Sequence, residues 1–327
     1  MEEIIEAIDK EVLEKELSPE CFYAKSPHAG HEVYLVNSTN APNVLREIGR
    51  IREICFRRGG GGTGKALDLD KFDLDPEFSF NQLVLWSPEE KKIIGGYRFV
   101  SCDHCLYDEE GQPVLPSSHL FTFTPAFTSG KFLQTIELSR SFISPEFQSS
   151  MGGGRQTIFA LDNLFSALSS VIHLFEKKYF FGKVTVYPDY PKEALGMIMF
   201  VLGKHFSPDE PLVIPKNPVS YGDPVRYRDI FTGEDFKTDY RTLKKELSKM
   251  SVQIPPLLNS YINLTSSLLY FGGGINDEFG DVIELGILLD AHDVNRPRFS
   301  LHPEIHEEHF RKIKERVMRF WKAIKKR

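Results

Sequence analysis

Cysteine and tryptophan are scarce in this chain, long apolar runs are missing, and there is no surplus of positive charge. Four Cys among 327 residues are too few for a disulfide scaffold at this length. Cys102 and Cys105 form one CxxC around Asp103 and His104. No second CxxC follows, so a structural zinc site would lack half its ligands and no metal is expected. The thiols are read as reduced, in a cytoplasmic setting. No apolar stretch nears the ~18 residues that span a bilayer. The opening MEEIIEAIDKEVLEKEL is acidic and amphipathic, unlike a secretory signal. A net charge of −6 argues against nucleic acid as a partner.

What is present fits a soluble globular chain: 41% hydrophobic and 26% charged residues, enough to bury a large core without staples. Phe is abundant, 26 against 2 Trp, which suits a deep apolar interior or, less commonly, a greasy pocket. Apolar spacing predicts helices over 2–17, over 43–57 and from Ile158 to Phe175. Strands are expected at 31–37, 80–86, 92–100, 134–142, 183–187 and 281–290, with a helix opening at Pro191 and another over 238–250. The order predicts an α/β fold, a mixed sheet flanked by helices, with an α-rich C-terminal extension. The expected division is an N-terminal helical extension (1–30), a core (31–205) and an extension packed on it (206–327).

Two glycine-rich loops invite a phosphate reading. GGGGTGK (59–65) nearly fits a P-loop, but Ala66 stands where a magnesium-binding hydroxyl is required. No apolar strand precedes it, so a surface loop or a closing lid is expected instead. The second loop, SPEFQSSMGGGRQ (144–156), joins a strand to a long helix. There the glycine amides, the helix N-terminus and Arg155 suit a phosphate. The strand before it, TIELSRSF, carries Glu137 in an apolar run, and such a carboxylate must be paired or functional. Arg52 likewise falls on or beside the apolar face of helix 43–57, either snorkelling or entering a site.

IREICFRRG (51–59), DLDKFD (68–73), IIGGYRFV (93–100), ELSRSFISPEF (137–147) and IPPLLNSYINL (254–264) occur in an order that resembles the hemolysin-like branch of the GNAT superfamily. That branch includes N-acyltransferases of ornithine-lipid and glycine-lipid synthesis and is related to acyl-homoserine-lactone synthases. The resemblance implies a GNAT core whose splayed strands admit a pantetheine arm. It implies a fatty acyl thioester of acyl carrier protein or CoA as co-substrate, no permanently bound cofactor, and an amino acid such as glycine or ornithine as acceptor. Its charged residues carry over to Arg52, Asp70, Asp73, Arg98, Glu137 and Arg140. Its phosphate loop carries over to Gln148, Met151, Gly152, Gly153, Gly154 and Arg155. Where relatives often have Cys-Asp-His, this chain has Phe80-Asn81-Gln82.

On this reading Glu137 takes the acceptor's ammonium proton, a strand N–H steadies the oxyanion, and Arg98 and Arg140 clamp the acceptor's carboxylate. Arg52, Asp70 and Asp73 complete a charge cluster. Strict alternation puts Glu137 and Arg140 on opposite faces, so a β-bulge is required to unite them. Leu257, Leu258, Tyr261, Leu264, Leu268 and Leu269 have helical spacing and are candidates for an acyl tunnel, or for plain core. Residues 310–327 form a basic amphipathic helix. Phe310, Ile313, Val317, Phe320, Trp321 and Ile324 lie opposite a crowd of Lys and Arg. It suits acyl carrier protein or an anionic membrane surface, which implies a peripheral place on the inner membrane face, or it docks on the core. The alternatives to an aminolipid N-acyltransferase are an acyl-homoserine-lactone-type signal synthase and a non-enzymatic, membrane-active hemolysin-like protein.

Overall fold

The computed structural model describes residues 1–78, 80–148, 154–294 and 307–324. Its centre is an eight-stranded mixed sheet. The strands are β1 (Phe22–Lys25), β2 (Glu32–Val36), β3 (Asn81–Ser87), β4 (Lys92–Ser101), β5 (Thr135–Ile143), β6 (Tyr179–Val186), β7 (Leu269–Asn276) and β8 (Val282–Asp290). They lie in the order β1-β2-β3-β4-β5-β6-β8-β7. All neighbours are antiparallel except β5 and β6. The last third therefore supplies two strands to the same sheet as well as the helices expected there.

Alternation along each strand sorts the two faces. Tyr97, Phe99, Ile136, Leu138, Phe180, Val184 and Val186 point into one core. It is covered by α4 (Gly154–Leu174), α5 (Lys192–Phe206), α6 (Phe236–Lys249) and α7 (Pro256–Leu264). Arg98, Val100, Glu137, Phe181 and Lys183 point the other way. On that side lie a phenylalanine-rich cluster and, beyond it, α1 (Lys10–Glu16) and α2 (Pro42–Arg58). Pro42 opens α2 at a position where its missing N–H costs nothing. A terminal helix, α8 (Glu307–Ile324), docks Ile313 and Val317 into the core. Among the described residues no helix is long and apolar enough to cross a membrane.

Three expectations are corrected. The first helix spans only Lys10–Glu16. The residues before it run beside the first glycine loop, where Glu2 N donates to Gly64 O at 2.7 Å and Ile8 N to Glu47 at 3.0 Å. These partners offer the segment more than an isolated helical turn does. The stripe from Leu257 to Leu269 is not one helix. α7 ends at Leu264 and Leu269 opens β7, so Leu268 and Leu269 cannot share a wall by helical spacing. Leu258, Leu264 and Leu268 are core. β6 begins at Tyr179 rather than at residue 183, which places Lys183 inside a strand.

The P-loop-like segment has an internal occupant. The buried Glu53 carboxylate accepts from Thr63 N (3.0 Å), Thr63 Oγ1 (2.8 Å), Gly64 N (2.8 Å) and Arg57 Nε (2.7 Å). Amides that would cradle a phosphate are spent on the chain's own anion. Glu53→Ala should therefore cost about 1–3 kcal/mol, the desolvation of donors left unpaired. Faster hydrogen exchange at Thr63 and Gly64, with a lower urea midpoint, would be the signature; unchanged exchange would count against it.

Candidate active site

Three arginines and three aspartates form one buried, charge-balanced network. Arg52 comes from α2, Arg98 from β4 and Arg140 from β5. The acids come from the segment after the glycine loop, where Asp70 caps a short helix, α3 (Lys71–Leu74), with a reciprocal Asp73 contact. Arg52, 0% exposed, does not snorkel. It gives Nε to Asp68 at 2.8 Å and both terminal nitrogens to Asp73 at 3.0 and 3.1 Å. Arg98 gives Nε to Ser139 at 3.0 Å, and Nη1 to Asp70 at 2.6 Å and Asp73 at 2.9 Å. The rings of Phe72 and Phe80 flank its guanidinium, at 5.6 and 5.4 Å. Gln82 donates to Asp73 at 2.9 Å, so two positions of the departing Phe-Asn-Gln segment, Phe80 and Gln82, touch the network. Burial opposes ionisation of Asp68 and Asp73, yet Arg140 and Arg52 hold the first, and Arg52 and Arg98 the second, below the usual carboxylate range.

The required bulge is present. Gly96 faces Phe142 and Arg98 faces Ser139, so two steps on β4 match three on β5. Within it Arg140 takes φ +51°, a left-handed conformation costing about 1–2 kcal/mol for a residue with a side chain. Offsetting it, Arg140 Nε meets Asp68 at 3.0 Å and its guanidinium lies 4.4 Å from the centre of the Phe279 ring. The bulge turns Arg140 to the face of Glu137 and Arg98.

The same stretch opens the sheet. The parallel pairing of β5 with β6 stops at Leu138 and Gly182, while the strands continue to Ile143 and Val186. Their unpaired halves wall a mostly apolar cavity of about 460 Å³, which also touches Leu257 and Phe279. A second, more polar cavity of about 840 Å³ is lined by Asp70, Lys71, His119, Asn276 and Glu278 among others. Arg140, Lys183 and Phe279 line both. Tyr261, a candidate tunnel residue, lines a small recess of about 30 Å³ beside the opening.

Glu137 is 0% exposed and is absent from the lining of those cavities. It lies deeper on the same face, between Val100 and Phe181 in register. Burial pushes its carboxyl up to about 7, with nearby Ser117, Lys183 and Arg98 opposing in part. Among the described residues neither carboxyl oxygen has a hydrogen-bond partner, and the nearby Ser117 hydroxyl has none either. Of the expected phosphate loop, Met151, Gly152 and Gly153 lie outside the described residues, as does the Arg155 side chain; Gly154 opens α4, and Gln148 donates to Ile143 O at 2.7 Å. Sequence reasoning missed Asp68, Ser139 and Lys183. Asp68 belongs to the same acidic run as Asp70 and Asp73, and Lys183 shows as a site residue once β6 is started at Tyr179.

Two outcomes follow from this electrostatics. Asp73→Ala strips partners from two buried arginines and should cost about 3–5 kcal/mol, read as a fall in the urea midpoint; a loss near zero would mean the network is not structural. Glu137 works in the opposite sense from Asp73. Its folded pKa lies above its unfolded value, so its contribution is full below pH ~4.5 and is lost as pH rises to about 7. Glu137→Gln should thus stabilise the fold relative to wild type at pH 8 by up to about 3 kcal/mol more than at pH 4. Melting curves at both values decide it, and equal differences would remove the buried-acid reading.

Comparison with known proteins adds the family. Residues 51–155 match the model of an acetyltransferase (GNAT) domain. The chain is 43% identical to a glycine N(alpha)-acyltransferase of Bacteroides thetaiotaomicron over 90% of this chain and 87% of the relative. It is 41% identical to a glycine N(alpha)-acyltransferase of Phocaeicola vulgatus over 93% of each. Among solved structures, the acyl-homoserine-lactone synthase LasI overlaps with a TM-score of 0.42 and 11% identity, covering 85% of this chain and 98% of its own.

Proposed function

Because this chain belongs to the family of the glycine N(alpha)-acyltransferases, we propose that it moves a fatty acyl group from a phosphopantetheine thioester onto the α-amine of glycine, in aminolipid synthesis. The observation that carries the reading is the junction where Arg140, Lys183 and Phe279 line both cavities. An acyl thioester entering between β5 and β6 meets an amine from the polar side there. The open strand edges offer hydrogen bonds to the amides of a pantetheine arm, and an N–H at the bulge is suited to the oxyanion. The apolar cavity receives the acyl chain.

The reaction begins with glycine as an ammonium. One proton must leave before nitrogen attacks the thioester carbonyl. Glu137 takes it through an intervening group, since its buried carboxyl, poised near 7, is matched to the task. The tetrahedral intermediate collapses, breaking the C–S bond. The second amine proton balances the departing thiolate, giving N-acylglycine, a free thiol and one proton released. Arg52, Asp68, Asp70, Asp73 and Arg98 position the floor of the acceptor side, and Arg140 faces the acceptor directly.

Acyl carrier protein is the proposed donor partner. Ile313 and Val317 of α8 are spent on the core, while Arg311, Lys312 and Arg319 are exposed. Among the described side chains of α8 the exposed ones are charged, which suits an acidic carrier better than burial among acyl tails. The side chains of Phe310, Phe320, Trp321 and Ile324 lie outside the described residues.

Purified protein given glycine and a long-chain acyl thioester of carrier protein or CoA should form N-acylglycine, detected by mass spectrometry with matching thiol release. No amide product from either donor would sink the proposal. The rate should climb with pH through about 7, because Glu137 accepts a proton only when ionised. Glu137→Gln should lower kcat by about 10²–10⁴-fold and abolish that rise.

A further inference from the structure

We infer that Lys183 binds the acceptor's carboxylate and thereby selects amines that carry one, an inference that rests on the N-acyltransferase reading above. Lys183 stands one residue past Gly182, the last pair before β5 and β6 part. Its side chain is 7% exposed and lines both main cavities and the recess between the strands. A group here touches whatever sits between the two cavities.

Its own partners are poor. The ammonium donates to Pro116 O at 3.4 Å and lies 3.6 Å from Glu284. A nearly buried cation with three donors and only long contacts has an unmet demand for an anion. Glu284 does not depend on it. That carboxylate already accepts from Thr185 Oγ1 at 3.0 Å and Asn276 Nδ2 at 3.1 Å.

The other inward cations hold closer ion pairs than Lys183 does, although Arg98 Nη2 has no hydrogen-bond partner among the described residues. Arg98 is held by Asp70 and Asp73, and Arg140 Nε by Asp68. His119 meets Asn276 at 3.1 Å, and burial lowers its pKa. Lys65 and Lys71 line the polar cavity but are exposed, at its rim. The arginines expected to clamp the carboxylate therefore serve the acids of their own network first, and Lys183 is the cavity-lining cation whose ion pair is long, 3.6 Å against 2.6–3.0 Å for theirs. A carboxylate bound to it fixes the α-amine within one carbon of the strand opening, where the thioester enters. Burial and nearby Arg140 weaken proton binding at Lys183 while Glu284 strengthens it, and an arriving carboxylate adds to the second effect.

A general base at Lys183 would serve any amine, whereas a carboxylate anchor serves only amino acids. The test compares glycine with glycinamide in wild type, Lys183→Met and Lys183→Arg. Lys183→Met should raise KM for glycine about 10- to 100-fold, the loss of a charge-assisted contact, while kcat changes little. Its kcat/KM for glycinamide should fall far less than that for glycine, so the preference for glycine collapses. Lys183→Arg should recover part of that preference. An equal fall for both acceptors, or an unchanged KM for glycine, overturns the inference. Thermal midpoints and the donor KM guard against a folding defect. If wild type acylates no amine, the functional proposal fails and takes this one with it. If it acylates glycine but the variants keep wild-type preference, only this one fails.

Discussion

Asp73 is the contact on which the site's geometry depends. It accepts from Arg52 of α2, Arg98 of β4, Gln82 of β3 and the Asp70 amide of its own short helix. Four elements are thus fixed relative to one carboxylate. Buried ions of this kind are costly unless every partner is in place. Here three cations meet three anions in one network. Its structural product is the position of the 66–75 segment on the sheet, which becomes one wall of the polar cavity. The charges expected at the site are joined in ion pairs that hold Arg140 at the junction of the two cavities.

The bulge and the splay are two consequences of the same stretch of β5. An extra residue against β4 turns Arg140 across the sheet. The opposite edge of the strand loses β6 beyond Leu138. Gly182 occupies the last paired position, where a Cβ would come within 2.9 Å of Leu138 O. A side chain there would press on the hinge of the opening. Arg140 pays in backbone strain for its place at the junction, and the Asp68 ion pair and Phe279 ring stabilise it there. A local conformational cost at a cavity-lining residue, supported from outside, is the pattern expected of a preorganised site.

Much of this was legible in the residues. Apolar spacing predicts α2, α4 and the strands of the sheet's middle, because those patterns report burial directly. Glu137 inside an apolar run marks a special carboxylate, and the need for a bulge follows from period-two alternation alone. What failed was local in another sense. Residues 2–9 carry a helical pattern, but their partners lie in and just after the glycine loop and on α2, which only the folded chain brings near. The Leu257–Leu269 stripe spans a helix end because helical and strand-flanking apolar residues look alike over short runs. Lys183 hid at what looked like a strand's edge. GGGGTGK resembles a phosphate cradle because the same amide geometry serves any anion, and nothing nearby in sequence announces that Glu53 is the anion held.

The surplus of phenylalanine finds its explanation beside Glu137. Phe181 is its register neighbour on β6. Phe121, Phe123 and Phe127 pack on Phe181 at ring separations of 6.5, 5.6 and 6.0 Å, and Phe132 closes on Phe127 at 5.6 Å. Such a cluster supplies no hydrogen bonds and little polarisability, so it raises the cost of a carboxylate charge. A few residues away, the same face of the sheet carries arginines and aspartates joined in ion pairs. One carboxylate, Asp73, is thereby kept ionised as a strut, and another, Glu137, has its pKa raised to about 7, as the proposed proton acceptor requires. The difference between them is made by the side chains around each: guanidinium forks in one case, benzene rings in the other. Composition, read first as mere core, thus sets the proton affinity on which the proposed chemistry turns.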